Sequence, residues 1–306
     1  MRYFIDEQSL CSPGDLAWRQ VERDLEGLAE ILSELRSMGE PVGLLAGWPG
    51  LEIQPGHDLV TVLASAGFID RDVRVRLLQA FDKCVAWDED PAVAVEGAVS
   101  VGGVTYESLG VGRALQLAAE GRATAVVATP WADRHGWLPV AAAGEVAVDL
   151  CFIVVDADLR RFLRSLFALD DVAEADFFGL AAEAFPALCF AEKLAFRRFA
   201  GGYVNRDAVV RHLAALNDQF ADLYVEFHGN SARISARLGV PVSIEGNTRA
   251  SKKLMRERDA VYDGQDFRCE WHSKIEPHRN RIHFHPGDER TQGRLLIGIF
   301  VEHLNT

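Results

Sequence analysis

Two spacings of apolar residues alternate along the first half of the chain, and they predict helices and strands in turn. Leucines recur every three or four positions between Asp15 and Met38, as on one buried helix face, whereas residues 145–156 form an apolar run typical of a buried strand. Shorter patterns predict helices at 70–87 and 110–121, and strands at 2–5, 42–46, 93–95, 99–105 and 123–129. This alternation favours an α/β layer with a mixed sheet, which we assign to residues 1–156.

Residues 157–246 are predicted to form a helical segment. Apolar residues at helical spacing extend from Asp158 to Leu169, and again from Asn205, a candidate N-cap, to Glu226. The stretch 181–199, rich in Ala and Phe, predicts a third helix. With the final segment, described next, these patterns indicate an α+β protein.

Residues 247–306 are predicted to form a small module in which a helix lies beside an antiparallel sheet. Polar and apolar side chains alternate through residues 269–274 and again through 281–285, and the residues between them are typical of a turn. The apolar run 294–301 predicts a central strand that is covered on both faces. A hairpin that keeps the polar faces together sets Lys274 opposite Arg281, His272 opposite His283 and Glu270 opposite His285.

The composition limits the class of protein. Of the 306 residues, 49% are hydrophobic and 25% are charged, and no apolar stretch has the length of a membrane span or the form of a secretory signal. Five scattered cysteines without a C-x-x-C pair argue against a disulfide framework and against a zinc ribbon. We therefore expect a cytoplasmic protein that has no membrane partner.

The formal net charge of −13 argues against a protein that coats nucleic acid over its whole surface. However, residues 1–248 carry 21 basic and 36 acidic side chains, whereas residues 249–306 carry 11 and 9. A helix beginning near Asn247 would present a basic face that a phosphate backbone could neutralise, although a solvated helix face is the plain alternative. The candidate nucleic-acid-binding residues are Arg249, Lys252, Lys253 and Arg256 on this face, and Arg279 in the hairpin turn.

Histidines are concentrated near the end of the chain, where five of the nine fall within the last 35 residues. Imidazole titrates near neutral pH, so His272 or His283 could exchange protons during RNA cleavage while Lys274 and Arg281 hold the phosphate, without a metal or cofactor. A half-exposed sheet also carries polar residues simply because its outer face is wet, and this alternative stays open. The candidate catalytic residues are Glu270, His272, Lys274, Arg281, His283 and His285.

Two further patterns have competing interpretations. The pair Gly110 and Gly112 precedes a predicted helix and could cradle phosphate, but the third glycine of a dinucleotide fingerprint is absent and close helix packing explains the pair better. His283-x-His285 followed by Glu289 has the spacing of cupin metal ligands, and imidazoles on a strand suit zinc, iron or nickel. A metal-dependent enzyme is therefore an alternative to metal-independent cleavage.

Three short motifs, H-x-K, R-I-x-F and I-G-x-x-x-x-H-L, follow one another in the last segment. In this order they resemble the C-terminal block of a large set of uncharacterised prokaryotic proteins that are often found with mobile-element or phage-defence genes. The arrangement of a helix and then a hairpin is also similar to RelE-type toxins, which are ribosome-associated RNases. The resemblance covers residues 247–306, and segments 107–121 and 123–129 resemble the larger set as well. The matching positions are His272, Lys274, Arg281, Ile282, Phe284, Gly298, His303 and Leu304.

The resemblance and the basic patch together predict a protein that engages nucleic acid in a prokaryotic defence or toxin-like system. If it is an enzyme, the expected activity is that of a metal-independent nuclease, an RNase in preference to a DNase. The expected partners are the phosphate backbone of RNA or DNA and a protein of the same system. Two alternatives stay open: a non-enzymatic component whose polar patch docks an acidic partner protein, and a His-x-His metal-dependent enzyme.

Overall fold

A computed structural model of the chain describes residues 1–89, 95, 97–142, 144–277 and 279–302, except the side chains of Asn247 and Thr248. The predicted strand at 93–95 lies mostly outside the described residues, and His278, His303 and Leu304 lie wholly outside them. The chain divides into two compact units, residues 1–170 and 171–306. Both units combine helices with sheets, which confirms the predicted α+β class. None of the described helices is long and apolar enough to cross a bilayer.

The first unit contains the α/β layer predicted from the alternating patterns. Its described helices are α1 (Trp18–Ser37), α2 (Leu59–Ala64), α3 (Arg71–Phe81), α4 (Leu109–Ala119) and α5 (Asp156–Leu169). Its described strands are β1 (Tyr3–Ile5), β2 (Val42–Leu44), β3 (Glu52–Gln54), β4 (His57–Asp58), β5 (Val85–Ala86), β6 (Ala98–Val101), β7 (Val104–Glu107), β8 (Ala125–Val127), β9 (Gly136–Ala142) and β10 (Val148–Ile153).

The main sheet of this unit is mixed, as predicted. Its strand order is β5-β2-β1-β8-β10-β9-β6-β7, in which the strands from β5 to β10 pair in parallel and those from β10 to β7 pair antiparallel. The central strands β1 and β8 are wholly buried, which explains their continuous apolar sequences. Helix α5 packs on β10 and so belongs to this unit, beyond the boundary predicted after residue 156.

The start of α4 shows why glycine is needed there. A Cβ atom on Gly110 would collide with the carbonyl of Ile5, so close packing of the helix on β1 requires the absence of a side chain. The buried carboxylate of Glu7 accepts hydrogen bonds from the N–H groups of Leu109 and Gly110 and from the Ser108 hydroxyl, the last at 2.8 Å. Because a carboxylate of the chain already occupies these donors, this glycine pair does not form a phosphate cradle in this structure.

The second unit contains helices and a mostly antiparallel sheet. Its described helices are α6 (Phe177–Ala184), α7 (Arg206–Ala215), α8 (Ala221–Glu226), α9 (Ser231–Leu238) and α10 (Lys252–Arg256). A π-helical segment, Leu216–Phe220, joins α7 to α8, so the predicted helix from Asn205 to Glu226 is confirmed in extent. The described strands are β11 (Leu188–Phe190), β12 (Val242–Ile244), β13 (Asp259–Tyr262), β14 (Gln265–Arg268), β15 (Trp271–Lys274), β16 (Arg281–His285) and β17 (Leu295–Val301).

The sheet of the second unit has the order β11-β17-β16-β15-β12, and only its edge pair β11–β17 is parallel among the described strands. Every residue of β17 is buried between two neighbouring strands, which confirms the predicted central strand. In the β15–β16 hairpin Lys274 lies opposite Arg281 and His272 opposite His283, as predicted. Strand β12, from the predicted helical segment, joins the same sheet as the C-terminal hairpin.

Three predicted helices differ from the structure. The helix predicted at 70–87 ends at Phe81, and Val85–Ala86 form β5. The stretch 181–199 is not one helix: α6 ends at Ala184, Pro186 has no N–H for a helical hydrogen bond, and the next residues form β11. The predicted basic helix is also interrupted. A 3₁₀ turn at Asn247–Ala250 precedes α10, and the Ser251 side chain caps α10 by accepting a hydrogen bond from the N–H of Leu254.

The sheet of the second unit is covered on both faces. On one face Phe220 packs edge-on against Trp271 and Phe284, with ring centroids 5.3 and 5.0 Å apart. On the other face the β13–β14 hairpin contributes Ala260 and Phe267 to an apolar cluster with residues of β17. The polar face of the β15–β16 hairpin is therefore partly enclosed rather than fully wet.

Candidate functional site

Three neighbouring strands place polar side chains in one row across the sheet. Ser243 of β12 lies opposite His272 of β15, which lies opposite His283 of β16. Because side chains alternate along a strand, Glu245, two residues after Ser243, projects from the same face. The backbone N–H of Glu245 donates to the carbonyl of Glu270 at 2.9 Å and so continues the ladder beyond β12. The register therefore brings a carboxylate beside the two imidazoles.

The Glu245 carboxylate is the centre of this cluster. Its Oε1 atom lies 3.5 Å from Nδ1 of His272 and 3.9 Å from Nδ1 of His283. Both distances are longer than a hydrogen bond of ordinary geometry. The opposite ring nitrogen of His272, Nε2, lies 2.9 Å from the Ser243 hydroxyl, which fixes the ring orientation. The ligand atoms of Glu245, His272 and His283 all lie within 4.8 Å of one another, as in a candidate metal-binding group.

Burial keeps both imidazoles neutral. The pKa of His272 is lowered to about 4, mainly by burial, and the charge of Glu245 opposes the shift. The pKa of His283 is lowered to about 3, again mainly by burial, with the neighbouring His272 as the next cause. His283 is 0% exposed, and neither of its ring nitrogens has a hydrogen bond of good geometry in the described part of the chain, although the Cys269 backbone favours its charged form. A neutral, poorly paired imidazole in the interior is unusual, because buried polar groups normally find partners.

Arg258 is the permanent cation of the cluster. Its guanidinium is 0% exposed, and its Nε lies 2.9 Å from Oε1 of Glu245. Another of its nitrogens, Nη1, donates to the carbonyl of Leu254 at 2.8 Å, which ties the cation to the last turn of α10. The Glu245 charge is thus balanced by an internal ion pair, with the two neutral imidazoles at its side.

Lys274 and Arg281 form the next row of the hairpin, at the partly exposed end of the polar face. They lie directly opposite one another across β15 and β16, and neither has an ion pair with any residue that the structure describes. Both positive charges also lower the pKa of His272, after burial and the opposing Glu245 charge. Like charges in facing positions destabilise a sheet, so this row presents two cations that an anion would stabilise.

The other predicted catalytic residues lie outside this cluster. Glu270 precedes β15 and forms an ion pair with Arg249. The ladder between β15 and β16 ends at Trp271 and Phe284, one position before Glu270 and His285, so their predicted pairing stays a prediction. His285 packs its ring against Phe267, and its Nδ1 accepts a hydrogen bond from the N–H of Gly287. Neither residue joins the group centred on Glu245.

The predicted nucleic-acid-binding cations are divided among three places. Lys252, Lys253 and Arg256 all belong to α10 and are exposed, and Arg256 is the last residue of this helix. Arg249 belongs to the preceding turn, so the predicted single basic helix face is wrong. Arg279 in the hairpin turn lies 3.4 Å from Glu302, which offsets part of its charge.

The cupin-like metal set considered from the sequence is not assembled. Glu289 is exposed in a 3₁₀ turn, and the candidate ligand group among the described residues contains His283 but neither His285 nor Glu289. Glu245 and His272 stand in their place. Pattern reasoning on the hairpin missed Glu245, Ser243 and Arg258, because they reach the hairpin from other elements. The only local signal was the polar–apolar alternation of Val242-Ser-Ile-Glu245, which is typical of a strand with one polar face.

The arrangement thus has two chemically different parts. The buried part offers two neutral imidazoles and a carboxylate, a donor set that suits a first-row transition metal. The partly exposed part offers Lys274 and Arg281, a pair that suits an oxyanion such as phosphate. Comparison of the chain with protein-family models, with curated proteins and with solved structures found no match.

Proposed function

We propose that the second unit binds the phosphate backbone of RNA through the cations at the open end of the β15–β16 hairpin. The observation that carries this proposal is the facing pair of Lys274 and Arg281, which has no carboxylate partner among the described residues. Two fixed cations held together by a sheet gain free energy when an anion lies between them. Release of counterions from a polyanion would add to that gain.

Exposed cations of α10, in the same unit, would add to the attraction of a polyanion. Lys252, Lys253 and Arg256 have no ion pair with the described residues, although they lie in a chain whose net charge is −13. A local patch of positive charge on an acidic protein is expected to bind one nucleic-acid strand over a short length. It is not expected to cover nucleic acid with the whole protein surface.

The geometry supports phosphate binding better than cleavage by the two imidazoles. His272 is 5% exposed and His283 is 0% exposed, so neither ring reaches a polynucleotide in this conformation. A general acid or base must approach the proton that it transfers to hydrogen-bonding distance. RNase activity, and a place in a defence or toxin-like system, stay predictions of the sequence resemblance.

Fluorescence anisotropy with labelled single-stranded RNA over a range of salt concentrations tests the proposal. We expect Lys274→Gln and Arg281→Gln each to weaken binding and each to reduce the salt slope by about one, as for the loss of one phosphate contact. Arg237→Gln, which removes an exposed cation of α9 in the same unit, is the matched control and should leave both quantities unchanged.

A variant that is expected to bind RNA more tightly provides a second test of the proposal. Glu270→Gln frees Arg249 from its ion pair, so RNA binding should tighten and the salt slope should rise by about one. The proposal is wrong if RNA does not bind, or if the Lys274 and Arg281 variants bind RNA with the wild-type affinity and salt slope. Binding of polyglutamate in preference to RNA would instead favour the docking of an acidic protein.

A further inference from the structure

The buried part of the same face carries a set of donor atoms that RNA binding does not use. We infer that Glu245, His272 and His283 form a binding site for one divalent transition-metal ion of the Zn²⁺ or Fe²⁺ class. Three side chains from three adjacent strand segments converge there, and their ligand atoms all lie within 4.8 Å of one another. Two imidazoles and one carboxylate are the donor set of many zinc and non-haem iron sites.

The spacing of the donor atoms fits a shared ion better than it fits direct hydrogen bonds. Ligand bonds of about 2.1 Å in a tetrahedral site separate the donor atoms by about 3.4 Å. Oε1 of Glu245 lies 3.5 Å from Nδ1 of His272 and 3.9 Å from Nδ1 of His283. The two distances from Glu245 thus lie within about 0.5 Å of the tetrahedral separation, and all three donor atoms lie within 4.8 Å of one another.

The hydrogen bonds around the cluster support the same conclusion. A metal-bound histidine generally uses its second ring nitrogen to bind an outer partner, and His272 does so through Nε2 with the Ser243 hydroxyl. His283 is fully buried, and neither ring nitrogen has a hydrogen bond of good geometry among the described residues, although the Cys269 backbone lies near enough to favour its charged form. A ligand bond would satisfy a ring nitrogen that is otherwise poorly paired.

Arg258 is the principal opposing feature. Its guanidinium already approaches Oε1 of Glu245 at 2.9 Å, and a dication would add positive charge beside it. Binding therefore has to outweigh that repulsion, and we expect a weaker affinity than that of a zinc site with thiolate ligands. The competing account is a structural ion pair between Arg258 and Glu245 that is complete without a metal, and it predicts no specific metal binding.

Metal titration of the full chain in the absence of RNA separates the two accounts and is independent of the RNA-binding proposal. Protein treated with chelator is titrated with Co²⁺, followed by visible absorption, and with Zn²⁺, followed by calorimetry. We expect one ion per chain and no binding of Mg²⁺, which prefers oxygen ligands. Zn²⁺ should also raise the thermal unfolding temperature of the wild-type chain.

Substitutions of the three proposed ligands test whether these side chains bind the metal. Glu245→Gln, His272→Asn and His283→Leu should each weaken Co²⁺ binding by more than the roughly 10- to 100-fold expected for groups outside the ligand set. His285→Ala, which removes a half-buried imidazole two positions along the same strand, is the control and should retain the wild-type affinity. Circular dichroism shows which variants fold, and any one folded ligand variant is sufficient for the comparison.

Two results would overturn the inference. One is a wild-type chain that binds neither Co²⁺ nor Zn²⁺ and shows no rise in unfolding temperature. The other is binding that survives in the folded ligand variants, since the metal would then occupy another group, such as the exposed thiol of Cys11.

Discussion

Two buried glutamates, one in each unit, have opposite surroundings. Glu7 is 3% exposed and accepts hydrogen bonds from the Ser108 hydroxyl and from two N–H groups at the start of α4. Glu245 is 6% exposed and faces Arg258 together with two imidazole nitrogens that lie beyond hydrogen-bonding distance.

The two carboxylates differ in the kind of group that surrounds them. The partners of Glu7 are mostly backbone groups, which remain in place as long as α4 is formed. The groups within 4 Å of the Glu245 carboxylate include three side chains, the Arg258 guanidinium and the two neutral imidazoles. Burial alone therefore does not distinguish the two carboxylates, whereas the kind of group that surrounds each of them does.

A fall in pH should give the largest difference in stability between the surroundings of Glu7 and those of Glu245. The folded-state pKa is about 4 for His212, about 4 for His272 and about 3 for His283, all below the ordinary value of 6.5, with burial as the main cause. Between pH 6.5 and 4 the unfolded state binds more protons, so the second unit loses stability as the pH falls, by about 1.4 kcal/mol per pH unit for each proton. Burial raises the pKa of Glu7, so its contribution changes in the opposite direction as the pH falls.

Urea unfolding at several pH values checks this expectation. Trp271 is the only tryptophan in residues 171–306, so its ¹⁹F resonance in 5-fluorotryptophan-labelled protein reports on the second unit. His212→Gln should reduce the slope by one proton, because this ring lies on the opposite face, bonded to the Ser273 hydroxyl at 2.6 Å. A stability of the second unit that is constant between pH 6.5 and 4 would contradict the burial of these rings.

Loss of the buried cation should give the next largest effect. Arg258→Met leaves the Glu245 carboxylate buried without its counter-ion, and breaking such a pair from one side costs about 3–5 kcal/mol. Zn²⁺ should restore part of this loss, since a dication between Glu245 and the imidazoles would replace the missing charge. The measurement is urea unfolding of the variant with and without Zn²⁺. Arg268→Met, which breaks a more exposed ion pair with Asp259, is the control and should cost much less.

Removal of the Glu7 side chain should give a smaller but clear effect. Glu7→Ala leaves the N–H groups of Leu109 and Gly110 without their carboxylate partner, and we expect a loss of about 2 kcal/mol. Glu7→Gln retains an acceptor oxygen and should lose less. Glu107→Ala, at an exposed position of β7, is the control. Equal stability of all three variants, measured by urea unfolding, would show that the capping bonds contribute nothing.

The hairpin and its register were predictable because their determinants are local. Alternation sets which side chains share a face, and a short turn leaves few registers for β15 and β16. The interruption of the basic helix was harder to predict, since Arg249 and Lys252 have helical spacing whether or not Ser251 caps a new helix between them. The helix predicted at 181–199 failed because β11 gains a partner, β17, that is remote in sequence.

The sequence by itself determined the class of fold, the apolar strands and the pairing of His272 with His283 and of Lys274 with Arg281. Only the tertiary structure decided which of these pairs is enclosed, because alternation assigns a side chain to a face but not the cover over that face. Only the tertiary structure brought Glu245 and Arg258 to the imidazoles, since both arrive from elements outside the hairpin. The physical reason is that a charge or a ring nitrogen acquires its chemistry from neighbours a few ångströms away, and folding selects those neighbours without regard to their distance along the chain.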